Sequence, residues 1–223
     1  VQDVRSLVHI YYTIARLLLV MGKKNTALEY YEKAVNIAKE KQDKAMLSEA
    51  QYQYALYYLD TDDIAKAMKG LQEAKDIILE QGGKDNISRL FVSLAEVYVK
   101  MGSDEALEYA EDGLKLAIET KVKQQEIIAL KTLGATQAII SKNFEEGIKN
   151  IKRAIATAKE TNFILEMADA MFALGKVLMV NKKAEQALGY FNQAQGIYEK
   201  IGAQLQLEKV AKIIKTLDAK QSG

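Results

Sequence analysis

Three short stretches carry residue types that could bind a ligand or perform catalysis. His9 is the only histidine and there is no cysteine, so neither a histidine–cysteine metal site nor a catalytic triad can form around it. The stretch DTDD at 60–63 begins like a calcium loop, but Ala65 stands where that loop needs Gly and Leu71 where it needs Glu. Gly82-Gly83-Lys84 lacks the upstream Gly and the Ser/Thr of a phosphate loop. We therefore predict no catalytic residue, no metal and no cofactor, and a protein that is not an enzyme.

Composition excludes two further classes. The formal net charge is +1, which provides no basic surface for nucleic acid, so we predict no direct nucleic-acid binding. No run of 18 apolar residues occurs, so we predict no membrane span. Proline is absent, although it breaks helix interiors and is common in loops, so we expect a chain that is nearly all helix with short turns. The absence of cysteine fits a reducing compartment, and we predict a cytoplasmic location.

An internal repeat organises the whole chain. A small residue followed by an aliphatic one recurs at steps of 40, 39, 41 and 40 residues. Seven residues after each of these anchors, and 11 to 13 before it, stand further small residues. The varying distance falls between two amphipathic segments, which predicts a turn there and a helical hairpin in each unit. The anchor pairs are Ala27-Leu28, Ala67-Met68, Ala106-Leu107, Gly147-Ile148 and Ala187-Leu188.

This pattern resembles the tetratricopeptide repeat family, although its period is 40 rather than 34 residues and the proline that usually closes each unit is missing. The resemblance implies an all-α fold, a right-handed α-solenoid of five helical hairpins plus a C-terminal capping helix. We treat residues 1–223 as a single array. Its predicted units are repeats at about 4–42, 43–83, 84–121, 122–162 and 163–202, and a capping helix at 204–218.

Local signals mark the ends of the predicted helices. Side-chain N-caps are expected at Asn25, Ser103 and Asn143, and a C-cap at Gly82. In DTDD an Asp or Thr is expected to cap a helix. The last segment places four apolar side chains on one face, and a solenoid needs such a helix to shield its terminal core. These side chains are Leu207, Val210, Ile214 and Leu217.

In the tetratricopeptide repeat family, the first helix of each unit lines a concave groove that holds a peptide or a partner helix. The resemblance therefore implies a mixed groove with four cations, three anions and three aromatic rings, which favours a peptide with acidic and apolar anchors. We do not find the Lys/Asn set with which the family's chaperone-binding members hold a C-terminal carboxylate. The predicted groove residues are His9, Tyr12, Arg16, Glu49, Tyr52, Arg89, Glu96, Lys131, Asp169, Phe172 and Lys176.

The resemblance favours a protein–protein interaction module that binds a peptide or helix of a partner in this groove. The alternative is a sensory or dimerisation domain of a larger, bacterial transcription regulator or signalling protein that reads a signalling peptide. Eight of the twelve tyrosines lie before residue 59, and outward-facing ones would suit a homodimer through the N-terminal repeats. Since the chain starts at Val1 with a helical pattern and no N-terminal cap, we expect upstream sequence. The partner's identity and the use of the groove or the convex face stay open.

Overall fold

The computed structural model describes residues 4–221, and the part it describes contains eleven α-helices and no strand. None of these helices combines the length and the hydropathy needed to cross a membrane. The helices are α1 (Val4–Val20), α2 (Lys24–Glu40), α3 (Lys44–Asp60), α4 (Ile64–Gln81), α5 (Lys84–Met101), α6 (Glu105–Thr120), α7 (Lys123–Ile139), α8 (Phe144–Glu160), α9 (Ile164–Val180), α10 (Ala184–Ile201) and α11 (Gln204–Gln221).

The helices form five hairpins, α1–α2 to α9–α10, followed by the single helix α11. Each helix packs on its neighbours in sequence. The first helices of successive hairpins, α1, α3, α5, α7 and α9, also pack on one another. This arrangement places the first helices in one layer and the second helices in another, and it confirms the predicted α-solenoid of five hairpins with a terminal helix.

Small residues let the two helices of each hairpin approach closely. All of the repeated small residues are buried, and Ala15 and Ala27 of the first hairpin have no exposed surface. Between α7 and α8 the backbones approach closely, because a Cβ added to Gly134 would lie 2.5 Å from the carbonyl oxygen of Gly147. At Gly175 the free space is occupied by the ring of Phe191, which would lie 2.5 Å from an added Cβ. The small residues therefore set the distance between the paired helices.

The turn within a hairpin is usually closed by one residue in the left-handed conformation. Gly22 has φ +76°; its N–H donates to Leu19 O, and the next N–H, of Lys23, donates to Leu18 O. This is the Schellman pattern, and it recurs at Asp62 and Lys182, which have φ +68° and +59°. In the fourth hairpin Asn143 N–H donates instead to Gln137 O. That longer turn accounts for the additional residue in this repeat.

The helix caps differ in part from the prediction. Asn143 caps α8 as expected, accepting a hydrogen bond from Glu146 N at 3.3 Å, and Gly82 is the left-handed C-cap of α4. The predictions for Asn25 and Ser103 were wrong. Helix α2 already begins at Lys24, and Asp104 stands at the N-cap of α6 without a side-chain hydrogen bond.

Aspartates cap the second repeat instead. Asp43 accepts from Met46 N at 3.0 Å at the start of α3, and Asp63 of DTDD accepts from Lys66 N at 3.3 Å at the start of α4. The Asp43 carboxylate also forms an ion pair with Arg5, whose Nη2 lies 2.7 Å from Asp43 Oδ2. DTDD is thus a turn with a capping Asp, as the sequence predicted.

The tyrosine-rich N-terminal repeats do not present an exposed tyrosine surface. All eight tyrosines before residue 59 are buried or half-buried. Tyr31, with 2% of its surface exposed, stacks on Tyr54 with ring centroids 5.8 Å apart. The Tyr54 hydroxyl in turn accepts from the Tyr58 hydroxyl at 2.7 Å. Of the adjacent pair in α2, Tyr30 contacts Tyr11 of its own hairpin and Tyr31 contacts Tyr57 of the next one. In α3, Tyr58 contacts Lys66 of its own hairpin, and Tyr57 contacts Tyr31 of the preceding one.

Helix α11 makes two sets of contacts. As predicted, Val210 and Leu217 are buried in the core of the last hairpin, with Leu207 and Ile214 packed against it. The helix also returns to the other end of the array, because Leu205 is buried among residues of the first two hairpins. The array therefore closes on itself.

The close approach of α7 and α8 predicts an effect of a single methyl group. Gly134→Ala should lower the free energy of unfolding by about 1–3 kcal/mol, because the added Cβ meets backbone that cannot move independently. Chemical denaturation checks this. Gly189→Ala is the matched control, since that glycine is exposed with nothing within 4 Å of an added Cβ, and it should gain about 0.5–1 kcal/mol. Equal stability of the two variants would contradict the role of Gly134.

Candidate functional site: the concave cavity

The first helices of all five hairpins line one concave cavity of about 640 Å³. A volume of this size is typical of ligand pockets. Gln206 of α11 also lines it, so the wall is completed by the helix that closes the array. A shallower depression of about 480 Å³ adjoins it at the edge between α1 and α3, sharing His9, Tyr12 and Glu49 with it.

The structure brings nine of the eleven predicted groove residues to this cavity. Phe172 and Lys176 lie outside its lining. The Phe172 ring packs on Phe191, with centroids 5.7 Å apart, and the Lys176 amine lies 5.0 Å above the centre of the Phe172 ring. The nine that line the cavity are His9, Tyr12, Arg16, Glu49, Tyr52, Arg89, Glu96, Lys131 and Asp169.

A half-buried ion pair occupies the wall between the third and fourth hairpins. Lys131 Nζ lies 3.0 Å from Glu96 Oε1, which also accepts from the Thr132 hydroxyl at 2.9 Å. Desolvation acts to raise the pKa of Glu96, but the charge and hydrogen bond of Lys131 outweigh it and lower the pKa. Desolvation likewise opposes the charge on Lys131, yet Glu96 and Asp169 raise its pKa. Both groups are therefore charged at neutral pH.

Arg89 is held by an aromatic ring and a carboxylate. Its guanidinium lies 5.0 Å from the centroid of the Tyr52 ring and 3.7 Å from Glu49 Oε1. The Tyr52 hydroxyl is 3.1 Å from the Ser93 hydroxyl, which donates to the carbonyl of Arg89 at 2.9 Å. Stacking on an aromatic face and a carboxylate partner fix the guanidinium in one place.

Asp169 stands at the acidic end of the cavity. The Tyr198 hydroxyl donates to its Oδ1 at 2.7 Å. Desolvation raises the pKa of Asp169 and the nearby carboxylates Asp60 and Glu166 raise it further, against the lowering effect of Lys131. Raised pKa values of this origin mark carboxylates that lack a sufficient counter-charge.

The charge of the cavity differs from the predicted balance. Six carboxylates line it against three cations, the side chains of Arg16, Arg89 and Lys131. Arg89 and Lys131 are already in ion pairs. The six carboxylates are those of Glu49, Asp60, Asp85, Glu96, Glu166 and Asp169.

Three of these carboxylates were missed in the sequence analysis. Asp85 precedes Arg89 by four residues and Glu166 precedes Asp169 by three. Asp60 follows Leu56, the third groove position of the second repeat in the family pattern, by four. Residues three or four apart share a helix face, so extending each predicted position by one helical turn would have found them.

Two buried side-chain oxygens of the cavity wall, Asp85 Oδ1 and Gln206 Oε1, have no hydrogen-bond partner in residues 4–221.

No group of three or more His, Cys, Asp or Glu residues within the described part of the chain could hold a metal ion. The carboxylates of the cavity are distributed over three first helices, α3, α5 and α9, rather than gathered at one point. The arrangement suits several separate hydrogen bonds and ion pairs to an extended ligand.

Lys176 should titrate at an unusual pH. The residue as a whole is exposed, but desolvation of its amine and then the charge of Lys131 lower its pKa from 10.5 to about 8. The unfolded chain therefore binds more protons than the folded chain between these values, so this group's contribution to stability rises with pH across that interval. NMR of isotopically methylated lysines should show one amine titrating near pH 8. Lys131→Met should raise that pKa and the exposed control Lys149→Met should not; an unchanged value in both would contradict this environment.

Two family models match the sequence. One, described as tetratricopeptide repeat, matches residues 8–41, and one described as anaphase-promoting complex subunit 5 matches residues 51–130 and 127–176. Among curated proteins, the 43 kDa receptor-associated protein of the synapse from Tetronarce californica is 22% identical over 195 residues. That alignment covers 86% of this chain and 47% of the relative, so the chain spans under half of that protein's length.

Solved structures with the same architecture cover nearly the whole chain. A Rap protein complexed with Competence and Sporulation Factor aligns with TM-score 0.73 and 15% identity, covering 95% of this chain and 64% of that one. NprR in complex with its cognate peptide NprX aligns with TM-score 0.69 and 18% identity, and the alignment covers 96% of this chain and 65% of NprR. A putative kinesin light chain from Podosopora anserina with TPR-like repeats aligns with TM-score 0.60 and 17% identity, and the alignment covers 90% of this chain and 99% of that one. At these identities the similarity establishes the fold.

Proposed function

We propose that the concave cavity of this chain binds a peptide segment of a partner protein, and that this segment carries a basic group. The chain belongs to the tetratricopeptide repeat family and is a protein-interaction module. The observation that carries this proposal is the excess of carboxylates over cations in the cavity, six against three. Glu49, Glu96 and Asp60 are already in ion pairs, with Arg89, Lys131 and Lys209. This leaves Asp85, Glu166 and Asp169 against Arg16. An ammonium or guanidinium group would supply the missing positive charge.

The cavity offers the acceptors that such a group needs on two of its helices, α9 and α5. Asp169 accepts one hydrogen bond, from Tyr198, and its carboxylate has lone pairs left for a ligand. Asp85 Oδ1 accepts none among residues 4–221. Burial makes such unpaired acceptors costly in the free protein, so a ligand that donates to them gains more than one that binds at the surface.

Arg16 adds a positively charged group to the cavity. It lines the cavity, and within the described residues its guanidinium forms no ion pair. A peptide carboxylate, either a side chain or the C-terminus, is the natural partner of such a group. The proposed ligand therefore has a basic group for Asp169 and an acidic group for Arg16, which orients it across the cavity.

The relatives favour a peptide as the class of ligand. The Rap protein was solved with Competence and Sporulation Factor and NprR with its cognate peptide. These peptides are ligands of the Rap protein and of NprR, and both proteins share the fold of this chain over more than nine tenths of its length.

Charge reversal in a peptide library tests the proposal. Labelled peptides with a fixed Arg should bind, measured by fluorescence anisotropy, and those with Glu at that position should not. Asp169→Asn should weaken binding of the selected peptide at least tenfold, because a hydrogen bond to a charged group contributes roughly 1.5–3 kcal/mol. Glu111→Gln, an exposed residue of the second helix α6, is the control. Equal binding of Arg and Glu peptides would reject the proposal.

A sensory or dimerisation domain is the second candidate, and the outer face of α1 supports it. Ile10, Leu17 and Met21 are 49%, 58% and 51% exposed. At the positions of Ile10 and Leu17, the later first helices are covered by the preceding hairpin. The buried counterparts are Ala50 and Tyr57, Leu90 and Val97, Ala129 and Thr136, and Ala170 and Val177.

Sedimentation velocity tests the dimer form of this candidate. The chain should associate as its concentration increases, and Leu17→Glu should abolish the association because a charge cannot be buried in an apolar interface without a partner. Ile118→Glu, which changes an apolar side chain 50% exposed on α6, is the control and should associate like the unmodified chain. A chain that stays monomeric at every concentration would contradict the dimer.

A further inference from the structure

Helix α11 connects the two ends of the array. It packs on α10 at one end and on α1 at the other. Leu205, with 2% of its surface exposed, lies in one buried cluster with Ala15, Leu19 and Tyr31. The Cβ of Gln204 lies 3.3 Å from the position of a Cβ built on Gly22, in the turn between α1 and α2. We refer to these contacts and the two ion pairs beside them as the closing contact.

Those ion pairs are open to solvent. Lys24 Nζ lies 3.1 Å from Glu208 Oε2, and Lys209 Nζ lies 3.1 Å from Asp60 Oδ1, with all four side chains between 37% and 48% exposed. Exposed pairs of this kind contribute little to stability. The contact between α1 and α11 is also smaller than that between any two consecutive helices. The closing contact is thus weaker than the packing between any two consecutive helices.

The same turn of α11 faces the ligand. Gln206, adjacent to Leu205, lines the concave cavity, and its Oε1 is buried without a donor among the described residues. A ligand in the cavity that donates to this oxygen would contact α11 and the first hairpins at once. Such a ligand binds better to the closed array than to an open one, so ligand binding and closure favour each other.

We propose that α11 opens and closes the concave cavity: the closing contact breaks to admit the ligand, and the bound ligand holds it closed. This rests on the proposed function for the identity of the ligand, a peptide with a basic group. The movement of α11 itself requires no ligand and can be tested without one.

A cross-link across the closing contact provides the test. The chain has no cysteine, so Gly22→Cys with Gln204→Cys introduces a single pair. The Cβ separation of 3.3 Å is close to the roughly 3.5–4.5 Å of disulfides. Gly22 has φ +76°, but the equivalent residues Asp62 and Lys182 carry side chains at φ +68° and +59°, so a cysteine fits there. The reduced form of the same variant is the matched control.

Hydrogen exchange followed by mass spectrometry reports the movement without a ligand. In the reduced protein the α11 amides should exchange at least ten times faster than those of α10, and oxidation should slow α11 at least tenfold while α4 stays unchanged. Exchange in α11 as slow as in α10, or unaffected by oxidation, would overturn the proposal. A pair that fails to cross-link in a variant whose circular dichroism is native would overturn it as well.

A charge reversal gives an independent check. Lys24→Glu places two carboxylates at the closing contact and should accelerate α11 exchange several-fold. Lys84→Glu breaks an equally exposed pair, Lys84–Glu119 at 2.8 Å, far from α11 and should not. The same α11 exchange in both variants would contradict the proposal.

Peptide kinetics complete the test. The Arg-containing peptide selected from the library should associate at least ten times more slowly with the oxidised variant than with the reduced one, and a preloaded peptide should dissociate more slowly. Equal rates in the two forms would overturn the role of α11 in admitting the ligand. A reduced variant that binds no peptide would instead reject the proposed function, while the exchange result would still decide whether α11 moves.

Discussion

The close approach of paired helices is the constraint on which the rest of the structure depends. Where α7 and α8 meet, Gly134 and Gly147 leave no room for even a methyl group. The other hairpins use Ala at the same positions, or place a ring such as Phe191 over Gly175. Because every hairpin has a similar thickness, successive hairpins stack with a similar rotation, and the first helices all face the same interior.

The rotation per hairpin decides where α11 lies. After five hairpins the array has turned far enough for α11 to reach the turn at Gly22. The cavity is consequently bounded by all five first helices and by Gln206, so one ligand can contact residues from both ends of the sequence. A longer or shorter array with the same helices would enclose a different space.

Much of this could be predicted from the sequence, because each repeat determines its own hairpin. The anchors Ala27 to Ala187 located the helices, and nine of the groove residues implied by the family resemblance line the cavity. The cavity's charge could not be obtained in this way, since Asp60, Asp85 and Glu166 lie one turn beyond the family positions. The closing contact could not be predicted either. It depends on the accumulated rotation of five units, which no single repeat encodes. In the sequence, Leu205 cannot be distinguished from any other apolar residue of an amphipathic helix.

The contact between Lys24 and Glu208 joins residues 184 apart in sequence. In an open solenoid each unit contacts only its neighbours, so the terminal units have one partner each and unfold first. Here the terminal units are partners of each other. Joining them requires closing a very long loop, whose entropic cost depends only logarithmically on its length. Residues 4–221 in this sense form a ring, in which loss of structure in α1 or in α11 must also break a contact made by the other.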